Sequence, residues 1–204
     1  MPATAGIEGA PVRVIDCDIL GAIVSTVNVA PPRASLDDVR LHDAVLRAAV
    51  DAGSTIAAVR FKQSFADDDE VCRHVAERGE RIARLLEDYD GYVEMRLLLP
   101  ESHDAPVEPT EPPPEQGPGR AYLEMLRAES RGRKVNLALA DALGPVIRAE
   151  RVEELPKSRG VVFAHLVARN ALPAYRDAVA ALPSVSGAKL VGPLALYSFA
   201  EPAL

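Results

Sequence analysis

Few side chains in this 204-residue sequence are of types that do chemistry, and they are dispersed. His42, His74, His103 and His165 fall on one expected helix, a second helix, a proline-rich stretch and a strand. No HxxxH or HExxH pair sets two imidazoles on one helix face, so no metal site is expected. Asp67-Asp68-Asp69-Glu70 has the oxygens to chelate a hard cation, yet it stands where a helix begins and negative charge offsets the helix dipole, which is the stronger reading. Cys17 and Cys72 are too few for a disulfide scaffold and are not in metal-ligand spacing, so two buried reduced thiols are expected. Gly117-Pro118-Gly119-Arg120 resembles a phosphate loop in its glycines alone. It follows no strand and lacks the Lys-Ser/Thr pair. Ser184, Ser186 and Ser198 lack a nucleophile-elbow motif, and neither cysteine carries a local catalytic signature. No catalytic residue, cofactor or metal ligand is therefore nominated, and an enzyme is not expected. The concentrated positive patch, Arg127, Arg131, Arg133 and Lys134, suits a solvated helix face as well as it suits an acidic partner.

The elements that would position these groups can be read from periodicity. Pro11 to Ile15 and Ile19 to Val27 are rich in β-branched residues and suggest a hairpin turning near Asp16-Cys17-Asp18. Ser35 followed by Asp38 opens a helix whose apolar face includes Leu36, Val39, Leu46 and Val50, ending at Gly53. Thr55 to Phe61 reads as a buried strand. Asp67 caps a second helix with Glu70 in the capping-box position, and Val71, Val75, Ile82, Leu86 and Tyr89 recur at helical spacing until Gly91. Tyr92 to Leu99 is a strand, and Arg120 to about Leu143 is helical. Val146 to Val152 and Gly160 to Ala168 are strands, Leu172 to Leu182 is a short helix, and Lys189 to Val191 begins a last strand that Gly192-Pro193 interrupts.

These elements give an α+β fold of two small domains: residues 1–90, then residues 91–204 in the order β, α, β, β, α, β, the split βαβ or ferredoxin-like order. A proline- and glutamate-rich loop at residues 100–118, with five acidic residues and no Lys or Arg, should be extended and disordered. It carries five of the seven net negative charges, which leaves about −2 for the rest. An acidic chain of this kind is not expected to bind nucleic acid. No apolar run approaches the length of a membrane span, and Met1-Pro2-Ala3-Thr4 lacks a signal-peptide layout, so a cytoplasmic location without membrane association is expected.

Four segments carry a family resemblance. Val59-Arg60-Phe61 with Phe65 and an acidic helix start, Gly91-Tyr92-Val93-Glu94, Gly119-Arg120-Ala121-Tyr122-Leu123, and Gly192-Pro193-Leu194-Ala195-Leu196-Tyr197-Ser198-Phe199 appear in this order. Together they resemble the gas vesicle protein L/F family. The chain departs from the family pattern at Lys62, where glycine is usual, and at Leu194-Ala195-Leu196, where Trp-Pro-Pro is usual. Nothing aromatic precedes Phe61, so either the start is shortened relative to the family or the N-terminal sheet is one strand short, with an edge able to pair with another chain.

The resemblance implies a two-domain α+β architecture with a modified ferredoxin-like C-terminal part. It also implies a non-enzymatic accessory or minor structural protein that supports gas vesicle assembly, with the main shell subunit and other accessory proteins as partners and no small-molecule substrate. Arg127, Arg131, Arg133, Lys134, Tyr197 and Phe199 are the candidate contact residues. The alternative is a ferredoxin-like regulatory domain that binds a small metabolite.

Overall fold

The computed structural model describes residues 5–27, 35–59, 61, 63–100, 138–155, 160–183 and 187–200. It contains mixed helices and antiparallel sheets divided into two compact units, one formed by residues 1–95 with 191–204 and the other by residues 96–190. The sequence suggested a single boundary near residue 90. In the structure the C-terminal stretch returns to the first unit, and the strands Tyr92–Pro100 and Lys189–Leu194 each contribute residues to both.

In the first unit, β1 (Val12–Cys17) and β2 (Leu20–Ser25) form a two-stranded antiparallel sheet with Cys17 opposite Leu20. Only Asp18 and Ile19 make the turn, and Asp18 sits at φ 70°, a left-handed conformation that Asp tolerates better than most residues. Alternation along this register places Arg13, Ile15, Cys17, Leu20, Ala22 and Val24 on one face and Val14 on the other, where it is 54% exposed.

Helix α1 (Leu36–Asp51) begins with the anticipated capping box, in which the Ser35 hydroxyl accepts from the Asp38 N–H and the Asp38 carboxylate accepts from the Ser35 N–H. Its apolar face is shorter than its sequence implies. Leu46, Ala49 and Val50 are buried, whereas Leu36 is 77% exposed and Val39 is also exposed.

Helix α2 (Asp68–Asp88) is capped by Asp67, whose carboxylate accepts from the Glu70 N–H at 2.8 Å. The return bond from Glu70 goes one residue further back than a strict capping box requires, to the Ala66 N–H at 2.6 Å. Gly79 is mid-helix, where glycine is unfavourable by about 1 kcal/mol relative to alanine. Its reason is close packing: a Cβ there would lie 3.2 Å from Ile19 Cδ1 at the hairpin turn.

Two expectations are overturned in this unit. Cys17 and Cys72 are not separate thiols but a disulfide with Cα atoms 4.9 Å apart, tying β1 to α2 across a sequence separation of 55 residues. Spacing along the chain could not reveal this, because the hairpin and the helix become neighbours only on folding. The described residues of the stretch 55–61 do not form a strand. They make one parallel bridge, Ala57 to Leu196, closed by Leu196 N–H to Ile56 O at 2.8 Å and Ala58 N–H to Leu196 O at 3.2 Å. Pairing stops there because the chain after Leu196 bends away.

The four-stranded sheet runs in the order β4-β5-β3-β6, where β3 is Tyr92–Pro100, β4 is Ile147–Leu155, β5 is Gly160–Ala168 and β6 is Lys189–Leu194. In the second unit β4 and β5 are antiparallel, with Glu150 opposite His165 and a bulge between Ile147 and Ala149. The buried run Val162 to Val167 explains the near-continuous apolar sequence of β5. A helical segment over residues 138–143 (α3) buries Leu139 and Leu143, and α4 (Leu172–Ala180) buries Tyr175 and Val179. Contrary to expectation, β6 continues through Gly192-Pro193. Gly192 has φ 138°, and a Cβ there would lie 2.5 Å from Met95 Sδ and 3.0 Å from Glu94 O, so glycine is needed both for conformation and for the close approach. Residues 101–118 of the proposed loop, and residues 120–137 of the helix expected from Arg120 to about Leu143, lie outside the described residues.

Candidate functional site

Of the four segments that carry the family resemblance, those at 59–65, 91–94 and 192–199 belong to the first unit, and Gly119 to Leu123 lies outside the described residues. Glu94, on the N-terminal half of β3, is fully buried. Its Oε2 accepts from the Tyr197 N–H at 2.9 Å and the Ser198 N–H at 2.8 Å, and its Oε1 accepts from the Ser198 hydroxyl at 3.0 Å. Successive N–H groups can converge on one oxygen because residues 198–200 turn sharply after the Leu196 bridge. The Gly91 to Glu94 segment and the Gly192 to Phe199 segment are therefore two halves of one clasp. Phe199 completes it from the apolar side, with its ring edge-on to Tyr89 at 6.3 Å.

This geometry places the sequence-derived contact candidates. Tyr197 is half-buried, and Phe199 is only 4% exposed, so its ring belongs to the core. Arg127, Arg131, Arg133 and Lys134 lie outside the described residues. The acidic run at the start of α2 is engaged within the unit: Asp67 caps the helix, and Asp68 holds the Arg13 guanidinium through two bonds of 2.6 and 2.7 Å. That bidentate bond is the main cause that raises the Arg13 pKa and lowers that of Asp68. Among the described residues, no group of three or more His, Cys, Asp or Glu side chains is arranged to hold a metal ion.

A concave region of about 770 Å³ in the same unit is walled by the hairpin, by α1 and α2, and by residues 55–57, 59, 61 and 63–66. Phe61 and Phe65, from the first resemblance segment, stand against two histidines on its wall. Phe61 meets His42 edge-on at 5.5 Å, and Phe65 meets His74 at 5.1 Å. His74 Nε2 faces two donors, Gln63 Nε2 at 2.9 Å and the Arg78 guanidinium at 3.1 Å. His42 is bonded to the Val59 carbonyl, and burial is the main cause that lowers its pKa. Neither the cavity nor its histidine walls could be read from sequence, since the lining comes from segments well separated along the chain.

In the second unit a buried polar network joins β4, β5 and α4. His165 lies at 2.7 Å from the Tyr175 hydroxyl through Nδ1 and at 3.0 Å from Glu150 Oε2 through Nε2. A carboxylate only accepts, so the neutral tautomer that pairs both nitrogens carries its proton on Nε2 and accepts the Tyr175 hydroxyl at Nδ1; this tautomer is assigned from the network. Burial chiefly, with the Glu150 charge second, holds the Tyr175 phenol proton well above its ordinary range. Burial outweighs the opposing pull of Glu150 and lowers the His165 pKa.

The pH consequence follows from these directions. His42 and His165 are both held below the ordinary imidazole value of about 6.5. As pH falls through that value the unfolded chain binds protons at both sites before the folded chain does. The stability they contribute is thus complete above about pH 6.5 and is lost progressively below it. Thermal melts should show a lower midpoint at about pH 5.5 than at about pH 7.5, and the difference should shrink when His165 is replaced by glutamine. Equal midpoints for the native chain at the two pH values would contradict the assignment.

Comparison with known proteins finds the same fold in solved structures. The chain superposes on the crystal structure of gas vesicle protein GvpF from Microcystis aeruginosa with a TM-score of 0.79 and 15% sequence identity, covering 96% of this chain and 91% of that one. The crystal structure of GvpF from Anabaena sp. PCC7120 gives a TM-score of 0.78 at 17% identity, over 96% and 88% of the two chains. At these identities the likeness concerns the fold. No curated protein matches the sequence. The family described as gas vesicle synthesis protein GvpL/GvpF matches residues 1–201. The chain belongs to the GvpL/GvpF gas vesicle protein family.

Proposed function

We propose that this chain is a non-enzymatic accessory or minor structural protein of gas vesicle assembly, acting through contacts with the main shell subunit and with other accessory proteins in the cytoplasm. The family match over residues 1–201 carries this reading. The clasp of the Gly91 to Glu94 and Gly192 to Phe199 segments supports it, because the shared residues serve the scaffold. A ferredoxin-like reading of residues 91–204, as the second of two domains, is supported by the sheet order β4-β5-β3-β6.

Two surfaces are proposed for the contacts. One is the β1-β2 hairpin, which among the described residues pairs with no third strand and exposes Val14. The other is the Arg127, Arg131, Arg133 and Lys134 run, which suits an acidic partner, with half-buried Tyr197 as a further candidate. No described helix is long and apolar enough to cross a membrane.

The test is recovery of the tagged chain with floated vesicles and with the purified main shell subunit, alongside deletion of its gene. Co-recovery and loss of vesicles are the expected results. Normal vesicles in the deletion strain, with no recovery on either partner, would overturn the proposal.

A further inference from the structure

We propose that the Cys17–Cys72 bond is a thiol–disulfide exchange site for a dithiol reductant, and that its reduction releases the turn end of the β1-β2 hairpin from α2 while the rest of the chain stays folded. The bond joins the last residue of β1 to the second turn of α2.

Little else fastens that end of the hairpin. Of the six residues in β1 and six in β2, Cys17 alone is buried, and the others are half-buried or exposed. The hairpin also lines the concave region of about 770 Å³, and side chains that border open volume forfeit packing contacts. Ile19 at the turn meets Gly79, yet it remains 54% exposed. The Arg13–Asp68 pair links β1 to α2 through side chains that are 43% and 53% exposed, and ion pairs so open to solvent contribute little. A two-stranded hairpin without firmer support is marginal in water.

The opposite end is held by other means. Ala5 bridges Pro11, the Gly6 N–H donates to the Ala10 carbonyl at 2.7 Å, and a Cβ on Gly6 would lie 2.7 Å from Ser25 Cβ. The short turn Ile7–Gly9 beside them packs against α1. One end of the hairpin is thus fixed by backbone bonds and close approach, and the other by a covalent bond that thiol chemistry opens.

Attack falls on Cys72, the less buried of the two residues. A thiolate of the reductant bonds to the Cys72 sulfur, the protein S–S bond breaks, and Cys17 leaves as a thiolate that takes up the proton lost by the attacking thiol. The second thiol of the reductant then displaces Cys72, which is protonated in the same way. Two electrons and two protons pass to the protein, and the reductant is oxidised to its own disulfide. The Cys72 sulfur stands 3.6 Å from the Asp16 carbonyl, and a thiol there is only a weak donor, so that contact does not replace the covalent tie.

Hydrogen exchange read by mass spectrometry tests this on the full chain, oxidised with glutathione disulfide or reduced with dithiothreitol, with thiols counted in each state. At labelling times short enough that β3 and β5 remain protected in the oxidised chain, residues 12–25 should exchange at least about tenfold faster after reduction, while β3 and β5 stay protected. Reoxidation should restore the hairpin's protection. Cys17→Ser/Cys72→Ser should match the reduced chain under both conditions, and its protected β3 and β5 report that it folds. Failure of the bond to form, a bond that dithiothreitol leaves intact in the folded chain, equal hairpin exchange in the two states, or loss of β3 and β5 protection together with the hairpin would overturn the inference. These readouts need no vesicle component, so the proposed assembly role stands or falls separately.

Discussion

Glu94→Ala should be among the most damaging single substitutions in the first unit, lowering its thermal midpoint by roughly 6 to 12 °C. Removing the carboxylate leaves the Tyr197 and Ser198 N–H groups and the Ser198 hydroxyl without the acceptor that holds them at 2.8 to 3.0 Å. Orphaning buried donors that serve a charged group costs about 3 kcal/mol. The turn that seats Phe199 against Tyr89 depends on those same bonds, so the apolar side of the clasp loosens with the polar side. Glu94→Gln gives the contrasting case. Its amide oxygen can take both N–H bonds and its NH₂ can donate to the Ser198 oxygen, so a loss of only about 1 kcal/mol is expected. A melt monitored by near-ultraviolet tyrosine signals would separate the two variants. Equal midpoints for Glu94→Ala and the native chain would refute the clasp as a stabilising feature.

The second large effect belongs to the disulfide. A bridge between Cys17 and Cys72 closes a loop of 55 residues, for which the chain-entropy estimate is roughly 4 kcal/mol, at the upper end of the usual 2 to 4 kcal/mol. Dithiothreitol should therefore lower the unfolding midpoint of the native chain, and the Cys17→Ser/Cys72→Ser variant should melt at that lower midpoint with no further response to reductant. Identical melts with and without reductant would show that the bridge contributes nothing. Reduction should be slow in the folded chain, since Cys17 is only 7% exposed and the bond lies between β1 and α2. A reducing compartment would keep the two thiols unpaired, so the bond is sensitive to where and when the chain folds.

Local features proved legible in the sequence because the forces behind them are local. Ser35 and Asp38, and Asp67 and Glu70, satisfy N–H groups within one helical turn, and β5 announces itself because all the side chains from Val162 to Val167 are buried. Less could be read wherever partners are distant. Glu94 stood in a resemblance segment, yet nothing nearby marked it as a buried carboxylate, because its donors lie 103 and 104 residues further on. Residues 55–61 have strand composition, but strand formation needs a paired strand along their length, and among the described residues their strand pairing is the single bridge from Ala57 to Leu196. Phe199 was read as a contact candidate, while the core it fills exists only once the turn after Leu196 has formed.

The return of residues 191–200 to the first unit has a consequence for biosynthesis. A ribosome releases residues 1–95 long before it makes Tyr197 and Ser198, so during translation Glu94 waits without its donors while residues 96–190 emerge. The amino-terminal half should therefore complete its folding last rather than first, reversing the usual vectorial order. A nascent chain stalled near residue 190 should leave its early portion protease-sensitive although every residue of that portion has already been synthesised.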